Sequence, residues 1–234
     1  MIEREKEKAA AILGRESGAA LPADQALELM QAYGIRLPSH RLAADERGVA
    51  AAAKAIGGPC ALKVVSAQAL HKSDLGGVAL NLDSPEQAAR AAAAMGKAIR
   101  DRVPGAVIDG YLVQAMAPEG VEVIVGARRD ATFGPIVLLG MGGIYVEIFE
   151  SVSIRVWPID RTDVMEMIEE LAIAPILEGA RGAEACDLGA LADIVLRVGT
   201  LLAEHPQIQE VDLNPVRAYP RGALAVDARV ILGR

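Results

Sequence analysis

The chain has 234 residues, of which 52% are hydrophobic and only 3% aromatic, and its formal net charge is −7. This length suffices for one large domain or two small lobes with an apolar core. An acidic surface does not favour nucleic acid or an anionic membrane, so we expect neither as a partner. A core built mainly from Ala, Val, Leu and Ile is typical of an α/β protein with buried strands.

The cysteines and the amino terminus both indicate a cytoplasmic protein. Cys60 and Cys186 lie far apart and form no CxxC or Cys/His cluster, so we interpret them as free thiols in a reducing compartment. The charged start of the chain is not followed by the apolar stretch of a signal peptide. The longest uncharged run, residues 131–146, is too short to span a bilayer.

The first part of the chain alternates between strand and helix signals. Residues 1–20 read as a charged leader, and residues 21–115 as an N-terminal lobe of α/β character. Helices are predicted at 24–33, 45–56 and from Ser84 to about Arg100, with glycines or serine at their ends. Strands are predicted around Lys63, at Val78–Leu82 and at 111–116.

The second part, residues 116–234, reads as a C-terminal lobe. Strands are predicted at 121–128, 136–139, 145–148 and 154–157, and two closing strands at 208–213 and 224–231. Thr162 and Asp187 are the predicted N-caps of two helices. Their inward faces are predicted to be Met165, Ile168 and Ala172 in the first, and Leu191, Ile194, Val195, Val198 and Leu202 in the second.

The stretch from Ala61 to Val78 carries a strand lysine, a loop histidine and a glycine pair. Lys63 within an apolar strand either binds an anion or reaches solvent from a sheet edge. Gly76 and Gly77 would let backbone N–H groups approach phosphate oxygens. His71 lies in the loop between Lys63 and this glycine pair. It is either an ordinary exposed histidine or a carrier that accepts a phosphoryl group, with Asp74 available to orient its ring.

The closing strands place polar side chains on one face. Period-two alternation puts Glu210, Asp212 and Asn214 opposite the apolar residues of the first strand. In the second strand, Leu224 and Val226 are predicted to point away from Asp227 and Arg229. If the strands form a hairpin, Asn214 and Asp227 meet across it and offer oxygen ligands to Mg²⁺. A polar face open to solvent is the alternative.

Three further features could contact a nucleotide. Glu122, among strand valines, could accept hydrogen bonds from ribose hydroxyls. Gln114 and Met116, at the end of the preceding strand, could lay backbone groups against an adenine edge. Gly140-Met-Gly-Gly143, followed by Glu147, could approach the nucleotide or form a plain turn.

Taken in order, these segments resemble the ATP-grasp β subunit, or β-like domain, of ADP-forming (NDP-forming) acyl-CoA synthetases, which are relatives of succinyl-CoA synthetase. The resemblance covers about residues 20–232. The matching stretches are Tyr33-Gly-Ile-Arg-Leu-Pro38, Leu62-Lys-Val-Val65, His71-Lys-Ser-Asp-Leu-Gly-Gly-Val78, Gly120-Val-Glu-Val-Ile-Val-Gly126, Asp130-Ala-Thr-Phe-Gly-Pro135, Gly140-Met-Gly-Gly143, Asp212-Leu-Asn-Pro215 and Ala225-Val-Asp-Ala-Arg229.

The resemblance implies an ATP-grasp fold of two α+β lobes with the nucleotide site between them. It implies the reversible conversion of acyl-CoA, ADP and phosphate to acid, CoA and ATP. His71 would relay the phosphoryl group to ADP. Lys63, Gly76, Gly77, Gln114, Met116 and Glu122 would serve the nucleotide, and Asn214 and Asp227 would hold Mg²⁺.

The same resemblance implies a partner. No CoA-binding or ligase domain fits within these residues, so a separate α subunit, in a hetero-oligomer, or the rest of a fused chain would supply that chemistry. A similar domain also accompanies some protein acetyltransferases as a regulatory or assembly element, and this non-catalytic reading stays open. A stand-alone carboxylate–amine ligase is the third reading, for which the chain has no room for a further substrate domain.

Overall fold

The structure is a computed structural model that describes residues 3–14, 19–66, 76–103, 105–142 and 151–233. It divides into two compact units. The smaller contains Pro22–Asp24 and Pro38–Pro118, and the larger contains Met1–Leu21, Gln25–Leu37 and Glu119–Arg234. The predicted lobes, 21–115 and 116–234, assigned residues 25–37 to the N-terminal lobe, whereas the structure groups them with the larger unit.

The contacts of Tyr33, which follows helix α2 (Ala23–Ala32), are consistent with this grouping. Tyr33 Oη donates a hydrogen bond to Glu204 Oε2 at 2.8 Å and lies 2.8 Å from His205 Nε2. Arg197 Nη1 donates to the Tyr33 carbonyl at 2.8 Å. These partners lie more than 160 residues away along the chain, so no local sequence pattern predicts the contacts.

The smaller unit is an antiparallel sheet of four strands with the order β1-β4-β2-β3 and two helices on one face. Alternate residues of β2, Cys60, Leu62 and Val64, join the core formed with alanines of the helices. The elements are β1 (His40–Ala43), α3 (Glu46–Ile56), β2 (Cys60–Val65), β3 (Val78–Leu82), α4 (Pro85–Arg102) and β4 (Gly110–Ala115).

The helix ends of this unit follow the predicted signals. Asp45 accepts a hydrogen bond from Gly48 N at 2.7 Å and caps α3, which ends at Gly57 with a φ of 76°. Ser84 caps α4 by accepting from Gln87 N, and Pro85 stands at the first position. Proline costs nothing there because the first N–H groups of a helix have no partner within it.

The larger unit is built on an antiparallel sheet with the order β10-β8-β5-β6-β7, in which β9 also pairs with β8. Helix α7 packs against β5, β6 and β8, and its predicted inward residues are all buried. The elements are α1 (Glu3–Leu13), β5 (Val121–Asp130), β6 (Gly134–Met141), β7 (Val152–Val156), α5 (Arg161–Glu169), α6 (Ala174–Leu177), a 3₁₀ turn (Ala180–Gly182), α7 (Leu188–Glu204), β8 (Ile208–Ala218), β9 (Ala223–Ala225) and β10 (Arg229–Leu232).

The start of α5 differs from the prediction. Asp160, not Thr162, is the N-cap: its side chain accepts from Thr162 N at 2.7 Å and from Asp163 N at 3.1 Å. The Asp163 carboxylate in turn accepts a hydrogen bond from Asp160 N at 2.7 Å. The buried face is Val164, Met167 and Ile168. The predicted inward residues Met165 and Ala172 were therefore wrong. The strand predicted at 145–148 lies outside the described residues.

Within the described ranges, no helix combines the length and the apolar character needed to cross a bilayer.

Strand β7 is tied to the end of α5 by one carboxylate. Glu170 receives hydrogen bonds from Arg155 Nη2 at 2.5 Å and from Ser153 Oγ at 2.5 Å. The hydrogen bond from Arg155, then that from Ser153, lowers the pKa of Glu170 from 4.5 to about 2. A carboxyl whose folded pKa is depressed contributes stability above its unfolded pKa, and that contribution disappears as the pH falls through the folded value.

We therefore predict a pH-dependent effect of Arg155→Met. At neutral pH the variant unfolds at a lower temperature than the wild type, and the difference shrinks as the pH falls from 4.5 to about 2. Thermal unfolding followed by circular dichroism across this range measures it. Lys97→Met, which breaks an exposed pair with Asp101, is the control and shows little change at any pH. A difference that stays constant down to the lowest pH would contradict the prediction.

Candidate functional site

The face of the larger sheet that lies opposite α7 carries polar side chains, and we call it the polar face. Val137 approaches Gly199 of α7, and it is aligned across the sheet with Ala127 and Val211. On β8, Val211 and Leu213 share this buried side, whereas Glu210, Asp212 and Asn214 are partly or fully exposed. Buried and exposed residues therefore alternate along this part of β8, as the sequence predicted, and the polar ones lie on the polar face.

The strand register places Asn214 opposite Asp227 on the polar face. Arg229 of β10 pairs with Asp212, and Ala225 of β9 pairs with Val216, so the residues midway between these pairs oppose one another. The bond from Val226 N to Pro215 O, 2.9 Å long, continues the ladder between them. The expected hairpin contact is thus present in the register. Whether the pair binds metal stays a prediction.

The donor chemistry of this pair fits Mg²⁺. An amide oxygen and a carboxylate are ligands that this ion prefers, and it commonly keeps several waters. Within the described ranges, no group of three or more His, Cys, Asp or Glu side chains is placed to hold a metal. An ion between Asn214 and Asp227 would therefore draw its remaining ligands from water and nucleotide oxygens.

One detail of the closing strands differs from the prediction. Ala223 and Ala225 occupy the buried positions of β9, whereas Leu224 and Val226 are only half-buried. The buried positions then continue with Ala228 and Val230, which breaks the period of two. The break occurs between β9 and β10, and it leaves Asp227 and Arg229 on the polar side as predicted.

Asp212 is a functional candidate that the sequence did not single out. It lies opposite Gly126 on one side and Arg229 on the other. Burial raises the pKa of Asp212, the charges of Glu210 and Asp227 raise it further, and Arg229 opposes them. Alternation placed it on the polar face beside Glu210, but only the fold shows that Gly126 and Arg229 lie on either side of it.

Glu122 is held by a partner that the sequence analysis missed. Arg217 of β8 lies directly opposite it, and its Nε and Nη2 donate to Glu122 Oε1 at 3.0 and 2.8 Å. The backbone carbonyl of Glu122 accepts from Gly142 N at 2.9 Å. The glycine motif that begins at Gly140 therefore lies against Glu122. Gly143 and Glu147 are outside the described residues.

In the smaller unit, Lys63 lies on the face of the sheet away from α3 and α4. Its neighbours Leu62 and Val64 belong to the helix-covered core, so alternation turns Lys63 to the other side. It is 8% exposed. Gln114, 1% exposed, pairs with Ala61 on that same side. A lysine so deeply placed in a strand needs a polar or anionic environment.

The remaining predicted residues of this unit lie at strand ends. Met116 follows β4, and its N–H donates to Pro59 O at 2.9 Å. Gly77 O accepts from Val64 N at 2.9 Å, and Gly76 has a φ of 73°, a conformation that favours glycine. His71 and Asp74 fall within residues 67–75, outside the described residues.

Comparison with known proteins supports the expected family. The model of a family described as ATP-grasp domain matches residues 13–232. The β subunit of acetate–CoA ligase [ADP-forming] I from Pyrococcus furiosus is 45% identical over 208 residues, which cover 89% of this chain and 90% of that protein. Acetate–CoA ligase [ADP-forming] I from Archaeoglobus fulgidus is 41% identical over 99% of this chain but only 34% of its own length.

Solved structures that resemble this chain also come from acetyl-coenzyme A synthetases. A dinucleotide forming acetyl-coenzyme A synthetase 1 from Ca. Korarchaeum cryptofilum, in complex with coenzyme A and Ca-AMPCP, has a TM-score of 0.91 and 41% identity over 96% of this chain and all of that one. The same enzyme with Mg-AMPPCP, whose phosphohistidine segment points towards the nucleotide binding site, has a TM-score of 0.83 and 38% identity over 96% of this chain and all of that one.

The resemblance and the fold class inferred from the motifs are thereby confirmed. The chain spans about nine-tenths of the β subunit from Pyrococcus furiosus and about a third of the single-chain ligase from Archaeoglobus fulgidus. The chain belongs to the ATP-grasp family and, within it, to the β subunits and β-like domains of ADP-forming acyl-CoA synthetases.

Proposed function

We propose that this chain is the nucleotide-binding, phosphoryl-relaying subunit of an ADP-forming acyl-CoA synthetase. The reaction is acyl-CoA + ADP + phosphate ⇌ acid + CoA + ATP, an acid–thiol ligation in the reverse direction. The observation that carries the proposal is the register that sets Asn214 opposite Asp227, beside Asp212, in a chain 45% identical to a β subunit over nine-tenths of its length.

Each unit supplies part of the machinery. In the smaller unit, Lys63 provides a point charge for nucleotide phosphates, and Gly76 and Gly77 allow backbone N–H groups to approach them. Gln114 and Met116 line the adenine edge. In the larger unit, Glu122 accepts hydrogen bonds from the ribose. Asn214 and Asp227 would hold Mg²⁺, which when bound would supply positive charge beside the phosphate oxygens.

His71 carries the phosphoryl group. Its neutral imidazole nitrogen forms an N–P bond as the bond from phosphorus to the phosphoryl donor on the α subunit breaks, and that donor is the leaving group. An oxygen of the ADP β-phosphate then forms an O–P bond as the N–P bond breaks, and ATP results. Each transfer needs alignment and charge neutralisation more than covalent help, which lysine, carboxylate-bound cation and backbone amides provide.

The acyl and CoA chemistry belongs to another chain in this proposal. The single-chain relative from Archaeoglobus fulgidus is about three times as long as the matched region, and the relative from Pyrococcus furiosus is named as a β subunit. We infer an α subunit that binds CoA and forms the acyl phosphate, in a hetero-oligomer with this chain. We place both in the cytoplasm, where the adenine nucleotide and CoA pools are available.

Labelling with γ-labelled ATP and Mg²⁺ tests the relay. We expect the wild-type chain, alone or with its α subunit, to acquire acid-labile and alkali-stable label typical of phosphohistidine, and His71→Ala to acquire none. His40→Ala is the control for a second histidine, because its Nδ1 lies 3.0 Å from the Pro38 carbonyl and it has no role in the proposed relay, so labelling should be unchanged. Label that survives His71→Ala would contradict the relay. Nucleotide binding without any label would favour the non-catalytic, regulatory module instead.

A further inference from the structure

We propose that Arg217 is a positioning residue that presents Glu122 to the ribose hydroxyls and so makes the site selective for a nucleotide with an intact ribose. The inference rests on the proposed function, because it concerns the same nucleotide. It goes further by naming what orients the ribose-binding carboxylate and which part of the nucleotide the site reads.

The contact between the two side chains is asymmetric. An arginine fork usually meets a carboxylate through two parallel bonds, one to each oxygen. Here both Nε and Nη2 of Arg217 donate to the single oxygen Oε1 of Glu122, at 3.0 and 2.8 Å. Two bonds hold Oε1 in one position, and none of the residues that the structure describes donates to Oε2, which can therefore accept hydrogen bonds from a ligand.

The backbone fixes the other end of Glu122. Gly142 N donates to the Glu122 carbonyl at 2.9 Å, and the two strands pair Glu122 directly with Arg217. The side chains of Arg217 and Glu122 are 21% and 29% exposed, so water screens this pair less than a fully exposed one. Both the main chain and the side chain of Glu122 are therefore held before any ligand arrives.

The charge of Arg217 also suits a site for a polyanion. A bare carboxylate beside nucleotide phosphates would repel them, and an arginine paired with it removes most of that repulsion. A hydroxyl that donates to a charged acceptor makes a stronger hydrogen bond than one between neutral groups. Glu122 can therefore read ribose hydroxyls without a loss of affinity for the phosphates.

The test compares ADP with 2′-deoxy-ADP and 3′-deoxy-ADP by calorimetric titration of the full-length chain in Mg²⁺. We expect the wild type to bind ADP about tenfold or more tightly than at least one deoxy analogue. In Arg217→Met this ratio falls to about one to two, as it does in Glu122→Gln. The double variant shows no further fall, because both changes remove the same interaction.

Arg217→Lys separates orientation from charge. Lysine keeps the positive charge but cannot place two fixed N–H groups on one oxygen. We expect Arg217→Lys to bind ADP nearly as well as the wild type, but with a smaller ratio between its affinities for ADP and for the deoxy analogue. Thermal unfolding shows whether Arg217→Met folds. If it does not, Arg217→Lys still tests whether Arg217 positions Glu122. Arg155→Met removes a comparable arginine–glutamate pair outside the site and should keep the wild-type ratio.

Three results would overturn the inference. They are a wild type that binds ADP without preference for the ribose, an Arg217→Met variant with the wild-type ratio, and an Arg217→Lys variant with the wild-type ratio. Each of these leaves the proposed function standing, because ADP still binds. A wild-type chain that does not bind ADP in Mg²⁺ would overturn the proposed function and the inference with it.

Discussion

Asp227→Asn should slow phosphoryl transfer from ATP to the chain by at least about a thousandfold, which corresponds to about 4 kcal/mol of lost transition-state stabilisation. The substitution keeps the shape of the side chain but removes the negative charge that faces Asn214 across the strands. Without that charge the pair binds Mg²⁺ poorly, and the phosphate oxygens lose a neutralising partner. Rapid-quench measurement of label transfer at saturating ATP and Mg²⁺ gives the rate.

Asp193→Asn is the matched control for this measurement. Asp193 is an exposed carboxylate of α7 that pairs with Arg161, on the opposite side of the sheet from the polar face. Its loss should leave the transfer rate within about twofold of the wild type, because surface pairs contribute little. A rate for Asp227→Asn within about tenfold of the wild type would exclude Asp227 as a ligand on which the transfer depends.

Gly142→Ala should destabilise the larger unit by about 1–3 kcal/mol and weaken nucleotide binding as well. A Cβ at this position would lie 2.7 Å from the Glu122 carbonyl carbon and 2.8 Å from Val123 N. These atoms belong to the backbone of β5, so they cannot move aside as the end of a flexible side chain can. The strand or the glycine turn must shift, and Glu122 shifts with it. Urea unfolding and ADP titration measure the two effects.

Gly58→Ala is the control for the added methyl group. No atom lies within 4 Å of a Cβ built at Gly58, and its backbone is outside the left-handed region. The substitution should change the free energy of unfolding by less than about 0.5 kcal/mol. Equal unfolding midpoints for Gly142→Ala and the wild type would show that the glycine turn can separate from β5 without cost.

Local signals predicted the features whose causes are local. Ser84 and Pro85 start α4 because capping needs only the next few residues. The inward residues of α7 were predicted because a wide apolar stripe on a long helix has one way to face a sheet. The predicted N-cap of α5 was wrong by two residues. Asp160 and Thr162 both carry capping side chains, and Asp160 is the N-cap because its carboxylate is the better acceptor.

Features that depend on distant pairing were not predictable in this way. The bond between Glu122 and Arg217 joins residues 95 positions apart, and it exists only because β5 pairs with β8 in one register. The attachment of Tyr33 to Glu204 and His205 likewise joins residues more than 160 positions apart, here through the end of α7. By contrast, Asn214 and Asp227 were matched from the sequence because they lie on strands joined by one short connection, where alternation alone sets the faces.

Strand β8 concentrates the site in eleven residues, with Asp212, Asn214 and Arg217 on it. It is paired along both edges, with β5 on one side and with β9 and β10 on the other. A slip of one residue would turn all three side chains towards α7 at once. Single-residue insertions or deletions within β8 should therefore displace Asp212, Asn214 and Arg217 together, whereas the exposed turn at Pro220 and Arg221 can change length without moving any of them.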